Sequence, residues 1–127
     1  MISKLGQIML YVNDQDRAAE FWTKKIGFQV ISEEDGEEDM RWIEIAPTKE
    51  AQTSIILHNK EVVARMSPEV NLGSPSLMFF SDNLEQLYQD FKDKNVVVGE
   101  LVTLPFGKVF NFADEEDNYF AVMENNS

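Results

Sequence analysis

Two rhythms of apolar and polar positions alternate along the chain. Ile8 to Val12 is a short run of strand-forming residues closed by Asn13-Asp14, and Asp14 is suited to cap a helix. Ala18, Ala19, Phe21, Trp22 and Ile26 then recur at helical spacing, and Gly27 stops that helix as a C′ glycine does. Phe28 to Ser32, Met40 to Ala46 and Thr53 to His58 read as strands, with an acidic turn around Gly36 between the first two. Asn59 to Ser74 breaks the pattern with Pro68 and Gly73 and reads as a linker with one helical turn near Glu61 to Met66. The pattern then restarts. Leu77 to Phe80 is a strand, Asp82-Asn83 a cap, and Leu84, Leu87, Tyr88 and Phe91 a helix face. Val96 to Val98, Lys108 to Phe112 and Asn118 to Met123 follow as strands.

The order is therefore β-α-β-β-β, linker, β-α-β-β-β. At a fixed offset Met9 matches Met78, Leu10 matches Phe79, Tyr11 matches Phe80 and Asp14 matches Asn83. A repeated unit of this kind packs against its copy, because one unit cannot bury its own sheet. We expect an α+β domain over residues 1–127, with module one at 1–58, a linker at 59–73 and module two at 74–127.

Composition narrows the class. A chain of 127 residues with 43% hydrophobic content buries about two-thirds of its unfolded surface, enough for a core without disulfides or metal. The net charge of -12 argues against a nucleic-acid partner, which needs a basic footprint, and against an anionic membrane surface. With no cysteine, thiolate zinc and thiol catalysis are excluded. The N-terminal MISKLGQIML has no signal-peptide core and no long apolar run follows, so the expectation is a soluble, cytoplasmic protein. Two loops carry much of the charge: Glu33 to Asp39 with six acids and Asp114 to Asp117 with four. Both read as solvated turns, and the second lacks the spaced ligands and glycine of an EF-hand loop.

Three segments carry a resemblance. Gln7-Ile8-Met9-Leu10-Tyr11-Val12-Asn13-Asp14, Phe21-Trp22-Thr23-Lys24-Lys25-Ile26-Gly27-Phe28 and Phe112-Ala113-Asp114-Glu115-Glu116-Asp117-Asn118-Tyr119-Phe120 resemble the first strand, the helix end and the final turn of the glyoxalase/bleomycin-resistance/dioxygenase (vicinal oxygen chelate) superfamily. Asp117 stands where that family usually has glycine, and Asp tolerates the left-handed conformation better than most residues. The resemblance implies two tandem βαβββ modules forming a curved, partly open barrel with helices outside. It also implies a homodimer, with ligand pockets in the concave face near the dimer interface.

Family enzymes hold one divalent metal there as a Lewis acid. Carried over one by one, the four ligand positions become Gln7, Ile56, Ser76 and Ala121. Ile56 and Ala121 have no donor atom, Ser76 is a weak neutral donor, and only Gln7 fits. We therefore expect no metal at the inherited site and no cofactor.

Strand alternation supplies the rest of the ligand wall. With Gln7 facing the cavity, Met9 and Tyr11 do so too, joined by Trp42, Glu44, Ile56, His58, Ser76, Met78, Asn111 and Ala121. The mixture of aromatics, methionines and a few polar groups suits a small-molecule ligand, cationic or aromatic, and equally suits a filled barrel interior. His58, the single histidine, is a candidate general base with Glu44 orienting it, or simply a half-exposed histidine at a strand end. Glu44 needs a partner, which is a cationic ligand, His58, a neighbouring arginine, or water at the rim. Trp22, on the first helix, reads as a structural residue of the core or a dimer interface, and Trp42 carries the same alternative to a ligand platform. Pro105-Phe106-Gly107 is a candidate lip over the pocket. Three functions remain open: a metal-free binding protein that sequesters a drug or metabolite, a family enzyme with an acid/base pair or a relocated metal, and a structural module with a filled barrel.

Overall fold

The computed structural model describes residues 1–125. It divides into two compact units, one spanning Met1–Pro75 and one beginning at Ser76. In the first, β1 (Gln7–Val12) leads to α1 (Gln15–Glu20), then to β2 (Gln29–Asp35), β3 (Arg41–Ala46), β4 (Ser54–Asn59) and α2 (Lys60–Met66). The sheet order is β1-β4-β3-β2, with β1 and β4 parallel and the other pairs antiparallel. In the second, β5 (Met78–Ser81), α3 (Leu84–Asp93), β6 (Val97–Val98), β7 (Val102–Leu104), β8 (Gly107–Ala113) and β9 (Tyr119–Glu124) follow. Here the order is β5-β9-β8-β6, and β7 pairs with β8. The α+β class and the repeated helix-and-sheet plan stand, with the described strands in two separate sheets and no closed barrel.

Local chemistry explains the elements. Asp14 caps α1 by accepting from the Arg17 N–H, and Asn83 caps α3 by accepting from that of Gln86. After α1 the chain widens into a π-helical turn, Phe21–Ile26, which Gly27 ends at φ 95. That left-handed backbone is cheap only for glycine. Asn59, inside the expected linker, caps α2, so one helical turn there becomes a seven-residue helix. Strand alternation puts Leu10, Val12, Ile43, Ile45, Ile55 and Leu57 on the buried face of the first sheet. In the second, Phe79, Phe110, Phe112 and Phe120 share the buried side with Phe91 of α3, with ring centroids 5.3–6.3 Å apart.

Several expectations need correction. The second strand reaches Asp35, so the acidic loop is narrower than the run of acids. Ser76 precedes β5 and does not belong to it. Asp114 is 8% exposed and is not a solvated acid. Its carboxylate accepts from the Glu116 and Asn118 backbone N–H groups and from the Asn118 side-chain amide, each at 2.9 Å. Those bonds organise the turn in which Asp117 takes a φ of 61, the left-handed position for which an aspartate serves in place of glycine.

Candidate functional site

The open face of the first sheet carries the candidate site. Gln7, Met9 and Tyr11 on β1 lie beside Ser54, Ile56 and His58 on β4, and Glu44 and Trp42 on β3 pair with Ile56 and His58. Gln7, Met9, Met40, Trp42, Ile56 and His58 together line an open cleft of about 250 Å³. It is mostly apolar, and none of the lining residues is a lysine, arginine or carboxylate.

Each wall residue has a local cause. Trp42 sits over the hairpin that joins β2 to β3. A side chain at Gly36 would place its Cβ 3.0 Å from the Trp42 ring, so only glycine lets the indole lie that close. The Gly36 N–H donates to the Met40 carbonyl at 2.7 Å, and Glu38 and Asp39 take left-handed backbone. Met40, two residues before Trp42 and so on the same side by strand alternation, lines the cleft as well. His58 stacks on Tyr11 with centroids 5.8 Å apart and planes 24° off parallel. Its Nε2 lies 3.2 Å from the Met9 Sδ, while its Nδ1 is buried with no hydrogen-bond partner.

Glu44 does not orient His58, which corrects the acid/base pairing expected from the sequence. The register sets Glu44 opposite Ile56, and Trp42 opposite His58. The Glu44 carboxylate instead accepts from the Ser32 hydroxyl at 3.1 Å and the Ser54 hydroxyl at 2.6 Å. Arg41, the nearest arginine in sequence, is held by Asp16 at 2.7 Å and Glu33 at 2.8 Å. These bonds raise its pKa further above the usual arginine value.

Burial alone lowers the His58 pKa. The folded state thus favours neutral imidazole, whereas the unfolded chain takes up a proton near pH 6.5. The neutral histidine's stability contribution is full above that pH and is lost as pH falls through the lowered folded value. The thermal midpoint of the wild type should therefore drop more between pH 7.5 and 5.5 than that of His58→Gln. Parallel curves for the two proteins would show that His58 does not carry the effect.

The remaining candidates lie in the second unit. Met78, Ala121 and Asn111 form one cross-strand row on its open face, and Ser76 stands just before β5. With Phe80, Val109 and Tyr119 they make a face without a charged side chain. Met78 is 45% exposed, Phe80 64% and Tyr119 61%. Phe106 is also exposed, in the β7–β8 connection.

An α+β protein with an apolar, partly aromatic cleft on an open sheet face has the form of a receptor for a small organic molecule. The chain belongs to the Glyoxalase/Bleomycin resistance protein/Dioxygenase superfamily, whose family model matches residues 4–122. It is 30% identical over 125 residues to the uncharacterized protein YetH of Bacillus subtilis (strain 168), covering 98% of this chain and all of that one. Among solved structures, it is similar to TnmS3, an antibiotic binding protein from Streptomyces sp. CB03234. That match has a TM-score of 0.83 and 25% identity and covers 98% of both chains. A superfamily member from Sphaerobacter thermophilus DSM 20745 shares the fold at a TM-score of 0.83 and 19% identity, over 98% of both chains.

The residues at the inherited metal positions do not fit a divalent ion. Ile56 and Ala121 offer only hydrocarbon, and Ser76 and Gln7 are neutral donors, so the set has no anionic or imidazole ligand. Among the described residues no three His, Cys, Asp or Glu side chains gather into a metal-binding group.

Proposed function

We propose that the protein binds a small, ring-containing organic molecule in the cleft of its first sheet and sequesters it without breaking a bond. The carrying observation is the cleft itself, lined by Met9, Met40 and Ile56 together with Trp42, His58 and Gln7. Methionines adapt to irregular shapes, and aromatic faces stack on rings. His58 and Glu44 form no acid/base pair, which supports binding over catalysis. The likeness to TnmS3, described as an antibiotic binding protein, supports an antibiotic or a similar metabolite as the ligand, and the Trp42 and His58 wall favours one with a ring. We propose further that the working form is a homodimer in which a second copy covers the uncharged face of the second sheet.

A thermal-shift screen of aromatic antibiotics against the wild type and Trp42→Ala tests the binding reading. A ligand at a hundred times its Kd stabilises the wild type by about 2.7 kcal/mol. Trp42→Ala should lose most of that gain. No stabilisation by any compound, or equal stabilisation of both proteins, would overturn the reading.

A further inference from the structure

Among the described residues, none gives the Glu44 carboxylate a counter-charge. Its two oxygens are held by Ser32 from β2 and Ser54 from β4, so they are fixed in direction. Among the described residues no lysine or arginine nitrogen pairs with it, and Arg41 is engaged by Asp16 and Glu33. Hydroxyl donors satisfy hydrogen-bonding capacity but leave the charge uncompensated, and a half-buried charge is costly to leave so. The residue sits at the margin of the cleft. Its strand partner Ile56 lines the cavity, and Ser54, which donates to it, is the strand partner of Gln7, which also lines it.

The cleft's remaining electrostatics point the same way. Trp42 lines the cleft, and the negative quadrupole of an aromatic ring attracts cations. His58 is biased toward its neutral form by burial and so brings little competing positive charge. The net charge of -12 adds long-range attraction.

We propose that Glu44 makes the cleft selective for organic cations, compounds with an apolar ring body and one positively charged nitrogen. This deepens the binding reading above and rests on it. The ring body lies against Met9 and Ile56, the row beside Glu44, and the cationic nitrogen faces the Glu44 carboxylate. Ser32 and Ser54 are positioning residues that hold the carboxylate toward the ligand.

N-methylacridinium and acridine are matched probes, because at pH 8.5 the first is cationic and the second neutral. Fluorescence titration should show the wild type preferring the cation by about tenfold, the effect of one partly solvated charge and cation–π contact. Glu44→Gln should lower cation affinity by about the same factor and leave acridine unchanged. Raising the salt from 20 to 500 mM should weaken only the cation in the wild type. The wild-type preference and its salt dependence stand as tests even if Glu44→Gln fails to fold. Equal wild-type affinity for both probes, or a preference that survives in Glu44→Gln, overturns the selectivity and leaves the binding reading intact. Binding of neither probe to the wild type overturns both.

Discussion

Trp22→Ala is expected to cost about 3–5 kcal/mol of unfolding free energy, the range for removing a fully buried tryptophan. Trp22 is 0% exposed and packs edge-on to Phe21 at 5.9 Å and against Phe28 at 5.1 Å. Phe28 returns to it because Gly27 reverses the chain, and the Phe28 N–H donates to the Trp22 carbonyl at 2.9 Å. The segment Phe21-Trp22 to Gly27-Phe28 is thus one physical device: a widened helix end, a left-handed glycine and two phenylalanines closing on an indole. Domains are stable by only about 5–15 kcal/mol, so the substitution should lower the thermal midpoint by roughly 10–20 °C. Denaturation followed by circular dichroism measures it, with Trp22→Phe as the milder control. A loss below about 1 kcal/mol would mean that the site collapses around the missing ring and that Trp22 does not hold the core.

The sequence made the sheet faces legible where one face is buried and the other open, because the strand period of two then separates residue types. Leu10 and Val12 against Met9 and Tyr11 is such a case, as are Ile43 and Ile45 against Trp42 and Glu44. The caps at Asp14 and Asn83 were readable from their side chains. Three features were not. Gln15 looks like a solvated first-turn residue, yet it is buried, and its amide donates to the Arg41 and Leu57 carbonyls at 2.6 and 2.9 Å. Nothing in a one-dimensional pattern marks a polar group that ties a helix to two strands. A register shift between Val30 and Ser32 re-phases β2, so alternation does not predict that Ser32 reaches Glu44. The expected Glu44–His58 pair failed by two residues of register, a distance that strand assignment alone does not resolve.

Phe80→Asp is expected to convert the proposed homodimer into monomers at micromolar concentration. Phe80 is 64% exposed on a sheet face that also carries Met78, Val109, Asn111, Tyr119 and Ala121 and no charge. In a chain that is 27% charged, a three-strand face without one carboxylate, lysine, arginine or histidine is an unusual solvated surface. A twofold-symmetric contact buries the same patch on both copies, so one substitution acts twice. Each lost phenylalanine burial is worth about 1.5–3 kcal/mol, and two of them raise the dissociation constant at least about a hundredfold. Burying a carboxylate on each copy adds to that cost, and the added negative charge opposes association of chains that already carry -12 each. Sedimentation velocity of the wild type and Phe80→Asp reads the outcome directly, with Phe106→Asp as a control for an exposed aromatic outside that face. A wild type that sediments as a monomer, or a Phe80→Asp dimer of unchanged strength, would remove the second copy as the cover of this face.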